Sequence, residues 1–198
     1  MMVSPKYKIV LVCIPKTGSS SLCTMLQRAD PSWYIHKSRH AVMNQSDADL
    51  FKDHLKIAVV RNSYKLCASF YRFMTEKIKD ERQEPPGLIS LIKSQLVATE
   101  TSLDWQIRES KNPFPLQLDY FSEEGKILVD NILFYDKGLD SEASDLKKQL
   151  DHRGILAKNE DVHYYGEYDW RYYYSGESVD YVTQLCQKDI EYFGFKFE

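Results

Sequence analysis

The sequence predicts an α/β fold in three layers, with a small central parallel sheet flanked by helices, and three observations lead to it. Apolar runs of strand length recur at residues 7–14, 56–61 and 127–135. The first two pass directly into stretches with helical apolar spacing, and strands that alternate with helices form parallel sheets whose ligands gather at the strands' carboxyl ends. Across 198 residues, 43% are hydrophobic and 28% charged, which is globular usage with enough apolar surface for a sizeable core.

In chain order, strand 7–14 leads into helix 19–28, which carries Leu22, Met25 and Leu26 on one face. Helix 46–53 and strand 56–61 follow, then helix 64–79, spaced by Leu66, Phe70, Phe73 and Met74. Helices 88–98 and 102–109, strand 127–135 and helix 141–150 come next. Helix 177–192 closes the series with a packing stripe of Val179, Val182, Leu185, Cys186 and Ile190. Lys79 to Gly87, a charged run ending in Pro85-Pro86-Gly87, is the only linker-like break and reads as a solvated connector or as a flap over an acceptor. No repeat interrupts the chain, so a single domain over 1–198 is expected.

Charge and cysteine usage narrow the class. A net charge of −3 and a pI near 6.0 argue against nucleic acid as the main partner. Positive field must then be local, from Lys16, His36, Lys37, Arg39, His40 and Arg61. The apolar run Ile9 to Ile14 is too short for a secretory leader, and no window approaches the ~20 apolar residues of a membrane span. Cys13, Cys23, Cys67 and Cys186 lie on apolar faces without metal-ligand spacing, which predicts buried reduced thiols and no metal site. A cytoplasmic protein is the expectation.

The chemistry concentrates where the first strand ends. Pro15-Lys16-Thr17-Gly18-Ser19-Ser20-Ser21 is a turn of small hydroxyl residues with one lysine, opening a helix whose first amides and dipole favour an anion. The nucleotide-triphosphate loop G-x-x-x-x-G-K-[ST] puts its lysine after the second glycine; here Lys16 precedes Gly18, and no glycine lies upstream. Read blandly, the same residues are a strand-to-helix turn capped by serine. Further on, Arg61 stands at the carboxyl end of the second strand, and Ser69 follows eight residues later on the next helix.

The loop resembles the 5′-phosphosulfate loop of sulfotransferases that use 3′-phosphoadenosine 5′-phosphosulfate (PAPS). Arg61 and Ser69 resemble that family's 3′-phosphate pair, at the same interval. Arginine suits the task because its planar fork can donate two charge-assisted hydrogen bonds to one phosphate. Phe114 to Tyr120, Lys126 to Ile132, Tyr168 to Tyr174 and Asp189 to Phe195, in that order, look like the Golgi-type carbohydrate sulfotransferases and their bacterial relatives. Three departures stand out: Ser63 replaces a proline and is expected to cap the helix, Leu66 replaces a common second arginine, and Asp136 lies where glutamate is frequent.

The resemblance implies a P-loop-like fold and transfer of a sulfuryl group from PAPS, leaving PAP, to a hydroxyl acceptor, with sugars, glycans and small metabolites as candidates. Lys16 would neutralise the leaving phosphate, while Pro15 to Ser21 hold the donor with amides and the hydroxyls of Thr17, Ser19 and Ser20. Among five histidines, His40 stands where the family often carries one before its second phosphate strand and is the first choice of base. His36 is the second. Asp47, Asp49 and Glu76 read as solvated helix faces. Arg171, in a tyrosine-dense run, is implied as a donor contact, and Trp33, Tyr34 and Trp105 line an acceptor pocket or belong to the core. Two other classes compete: a nucleotide or metabolite kinase, and a non-catalytic nucleotide-binding module. A serine hydrolase lacks its G-x-S-x-G elbow.

Overall fold

The computed structural model describes residues 1–77, 87–101, 114–137 and 169–198. The expected helices 102–109 and 141–150, the linker over 79–86, Trp105, His152, His163 and Tyr164 to Tyr168 lie outside the described residues. What is described gathers into two compact units, one of residues 1–61 and 119–137, the other of residues 62–77, 87–101, 114–118 and 169–198.

The first unit is built on a five-stranded sheet. Its strands are β1 (Met2–Ser4), β2 (Ile9–Val12), β3 (Tyr34–Ile35), β4 (Leu55–Val60) and β7 (Asn131–Phe134), in the order β3-β1-β2-β4-β7. β2, β4 and β7 run parallel, with Val12 beside Ala58 and Val60 beside Phe134. A short hairpin, β5 (Ser122–Glu123) with β6 (Lys126–Ile127), precedes β7.

The sheet is mixed rather than wholly parallel. β1 pairs antiparallel with both β2 and β3. Three residues and two residues are too few to carry a periodic signal, so neither strand was legible. Predicted strand 127–135 likewise divides: Lys126–Ile127 belongs to the hairpin, and only Asn131–Phe134 joins the main sheet.

Both faces of β2 and β4 are buried, as a continuous apolar run predicts for parallel strands. Ile9, Leu11, Cys13, Ile57 and Val59 form one face, and the helix α1 (Ser19–Ala29) packs Leu22, Cys23 and Leu26 onto it together with Trp33. Burying such a side chain contributes about 1.5–3 kcal/mol, so this face fixes α1 against the end of β2. α2 (Gln45–Leu50) is closed by a capping box in which Asn44 accepts from the Asp47 amide at 2.9 Å, and the Asn44 amide donates back to the Asp47 carboxylate.

The second unit is helical. α3 (Ser63–Lys77), α4 (Leu88–Thr101), α5 (Gly176–Leu185) and α6 (Gln187–Phe193) surround Leu66, Cys67, Phe70, Ile92, Phe114, Trp170 and Val182. The single helix 177–192 expected from spacing is two helices that meet at the buried Cys186, where ψ rises to 21°. Past that corner, the buried carboxylate of Asp189 accepts from the amides of Gln117 and Leu118 at 2.6 and 3.0 Å. Those local demands outweigh the apolar stripe that made the segment read as continuous. Leu66, at a position where arginine was the family expectation, is fully buried in this core.

Among the described residues, no helix is long and apolar enough to cross a membrane, and no cluster of metal-ligating side chains occurs.

Candidate functional site

Because β2, β4 and β7 are adjacent and parallel, the residues that follow them emerge at one end of the sheet. These are the loop from Cys13 to Gly18, Arg61, and the pair Tyr135 and Asp136.

The loop is held in a shape that few sequences tolerate. Lys16 has φ 66° and Gly18 φ 76°, both left-handed. For lysine that conformation costs about 1–2 kcal/mol, and such strain clusters at ligand clamps. Gly18 is required twice over, since a Cβ there would stand 2.5 Å from Cε2 of Tyr135. Two hydroxyls tie the loop shut: Thr17 Oγ1 and Ser19 Oγ both donate to the Ile14 carbonyl, at 2.9 and 2.7 Å. Each hydroxyl has one proton, so Thr17 and Ser19 offer an anion their backbone amides rather than their side chains. Ser20 is exposed and Pro15 and Lys16 are half-buried.

α1 then begins without a side-chain cap, its N-cap being Gly18. Its first amides have no intrahelical acceptor and carry the positive end of the helix dipole.

Arg61 closes the site from the neighbouring strand. Its Nη1 donates to the Lys16 carbonyl at 3.3 Å, its guanidinium lies 4.7 Å from the centre of the Tyr135 ring, and its Nε is 3.6 Å from Asp136 Oδ1. Tyr135 therefore packs beneath both Gly18 and Arg61. The sequence marks Asp136 only as a structural substitution and gives Tyr135 no role. A lone aromatic after a strand gives no signal of its own; the glycine it excludes from bearing a Cβ does.

His40 reaches the same segment. Its Nδ1 is 2.7 Å from the Cys13 carbonyl, a contact only a protonated Nδ1 can make as donor, which leaves Nε2 with its lone pair. Burial above all holds its pKa below the ordinary imidazole value; the Cys13 carbonyl opposes this and Arg39 adds to it. A neutral, oriented imidazole thus adjoins the loop's entry.

His36 is committed elsewhere. Its Nε2 is 3.2 Å from Asp47 Oδ1, and its ring meets Phe51 edge-on at 5.0 Å. Lys37 Nζ also pairs with Asp47, at 2.7 Å. Asp47 is 2% exposed, not the solvated helix residue its sequence position suggests, because it closes the α2 capping box and meets both His36 and Lys37. The capping pattern Asn44-x-x-Asp47 was the available signal.

The second unit holds Ser69 and Arg171. Ser69 is half-buried on the second turn of α3. Asn62, not Ser63, caps α3: its Oδ1 accepts from the amides of Tyr64 and Lys65 at 3.0 and 3.4 Å. The Ser63 hydroxyl is buried with no hydrogen-bond partner among the described residues. Arg171 is exposed, and its Nε donates to Asp169 at 2.9 Å beside the turn Trp170–Tyr173. Trp170, Tyr173 and Tyr174 pack into the helical core, whereas Tyr172 is 87% exposed. Trp33 belongs to the core of the first unit, and Tyr34 is exposed on β3. A groove of about 580 Å³ lies within the second unit, walled by Tyr71, Tyr172 and Tyr173 and edged by Glu177.

Compared with models of protein families, with curated proteins and with solved structures, the chain has no match.

Proposed function

We propose that this chain is a PAPS-dependent sulfotransferase with a P-loop-like nucleotide site, transferring a sulfuryl group to a hydroxyl of a sugar or small-molecule acceptor. One observation carries the reading: two motifs 45 residues apart in sequence meet where Arg61 donates to the Lys16 carbonyl, above an uncapped helix N-terminus. Two cations and a row of amides suit a nucleotide with several negative charges, and a net charge of −3 gives a polyanionic partner no general attraction.

PAPS supplies the activated sulfuryl group. The amides of Thr17 to Ser20 orient its 5′ end, and Lys16 offsets charge that builds on the leaving phosphate. Arg61, braced on Tyr135, offers its fork to the 3′-phosphate, with Asp136 releasing it as the anion arrives. The link between Ser69 and that phosphate rests on sequence interval alone. His40 holds its proton on Nδ1 and receives the acceptor's hydroxyl proton on Nε2.

Binding tests this reading against its rivals. Because a ligand that fits only the folded state raises its melting point, PAP should stabilise the protein while ATP and GTP at equal concentration do not. Stabilisation by ATP instead would favour a kinase. Tight PAP binding with no mass gain of SO3 on any hydroxyl acceptor would favour a non-catalytic module.

A further inference from the structure

Cys13 and Cys23 bracket the anion loop, one just beyond β2 and the other in the second turn of α1. Their Sγ atoms lie 3.3 Å apart, and both residues are fully buried. We propose that they are a modification site, oxidised by hydrogen peroxide to a Cys13–Cys23 disulfide that restrains the loop between them.

The surroundings divide the labour between the sulfurs. Cys13 lies 3.6 Å from the Leu11 carbonyl and shares a hydrogen with Cys23. That hydrogen bond, aided by the charge of Arg39, pulls the Cys23 thiol pKa down, while the same contact and burial push Cys13 up. Cys23 is therefore the sulfur that gives up its proton more readily and attacks. It attacks one peroxide oxygen, breaking the O–O bond to give a sulfenic acid, and the departing hydroxide takes a proton to become water. The Cys13 sulfur then attacks the Cys23 sulfur and loses its proton, and the sulfenic oxygen leaves as a second water. Two thiols and one peroxide thus give one disulfide and two waters.

Bond formation must shorten the sulfur separation to about 2.05 Å. Residues 14–22 lie wholly inside the ring this closes, so the change is felt by Lys16, Gly18 and the first amides of α1. Shifts of that size degrade a tuned site. Buried sulfurs meet peroxide only when the start of α1 opens, so a ligand that holds the loop slows the reaction.

Peptide mapping of the full chain tests the proposal. After hydrogen peroxide and alkylation, trypsin should release Ile9–Lys16 joined to Thr17–Arg28, two hydrogens lighter than the separate peptides and parted by dithiothreitol. Amide exchange over 14–22 should change on oxidation and recover on reduction. Separately alkylated Cys13 and Cys23, or a link without altered exchange, would overturn the inference. Cys23→Ser should abolish the link, and the wild-type map stands even if that variant folds poorly. The effect on ligand rests on the nucleotide reading: PAP affinity should fall about tenfold. A link with altered exchange, but no PAP binding in either redox state, would uphold the disulfide and sink the nucleotide reading.

Discussion

Two strand-to-helix turns in this chain solve the same problem in opposite ways. Between β4 and α3 the turn is brief, and Asn62 folds its side-chain Oδ1 back to accept from the amides of Tyr64 and Lys65. The N-terminus of α3 is thereby closed. Between β2 and α1 the turn is longer, adopts two left-handed residues, spends the Thr17 and Ser19 hydroxyls on Ile14, and leaves α1 without a side-chain cap. A protein that needed only to turn the chain had the first solution available. The strained, uncapped turn is the one we propose for the anion, and Arg61 from the capped turn donates to its Lys16 carbonyl.

The largest effect expected from this contrast is on turnover. Lys16→Ala should lower kcat for sulfuryl transfer about 10²–10³-fold, the usual loss on removing one preorganised charge-stabilising group. Lys16→Gly should lose as much activity while gaining stability, because glycine accepts φ 66° without strain. Equal activity of either variant with wild type would remove Lys16 from the mechanism.

Next comes Gly18→Ala, which adds left-handed strain to the collision with Tyr135 and should cost about 2–4 kcal/mol in denaturant unfolding. Adding Tyr135→Ala should recover part of that loss, giving a coupling energy of at least about 1 kcal/mol. Strict additivity would mean the two residues do not brace one another.

Asn62→Ala sharpens the comparison from the other side. Losing a cap costs about 1 kcal/mol, or roughly 2–4 °C in melting temperature for a chain this long, and PAP affinity should stay unchanged in calorimetry. A large affinity loss would show that the capped turn is also part of the site.

The smallest effect is on pH. Since burial lowers the His40 pKa, its acid limb in the activity profile should lie below the free-imidazole value of about 6.5. The sign for stability follows: an imidazole depressed in the folded state gives up stability as pH falls from the unfolded value through the folded one. Burial lowers His54 too, so both contribute to that decline. His40→Asn should remove the acid limb and flatten part of the stability loss; an unchanged limb would reassign the base.

Much of this was legible in the sequence because it was carried by local patterns. The runs before Lys16 and Arg61 announced parallel strands, and the lysine-before-glycine turn coincides with the left-handed loop that opens α1. What escaped depended on contacts between distant residues. β1 and β3 are defined by pairing, not by periodicity. Tyr135 matters only because Gly18 lies against it, and Asp47 is buried only because His36 and Lys37 fold over it. Hydroxyls that promised donors to a phosphate proved to be donors to Ile14, since a buried carbonyl in a tight loop must be satisfied first.

The decisive measurement is a crystal soaked with PAP. Density is expected for the 5′-phosphate against the amides of Thr17 to Ser20 beside Lys16, with the 3′-phosphate on Arg61. PAP bound elsewhere, or a loop and Arg61 left untouched at saturating ligand, would contradict that expectation.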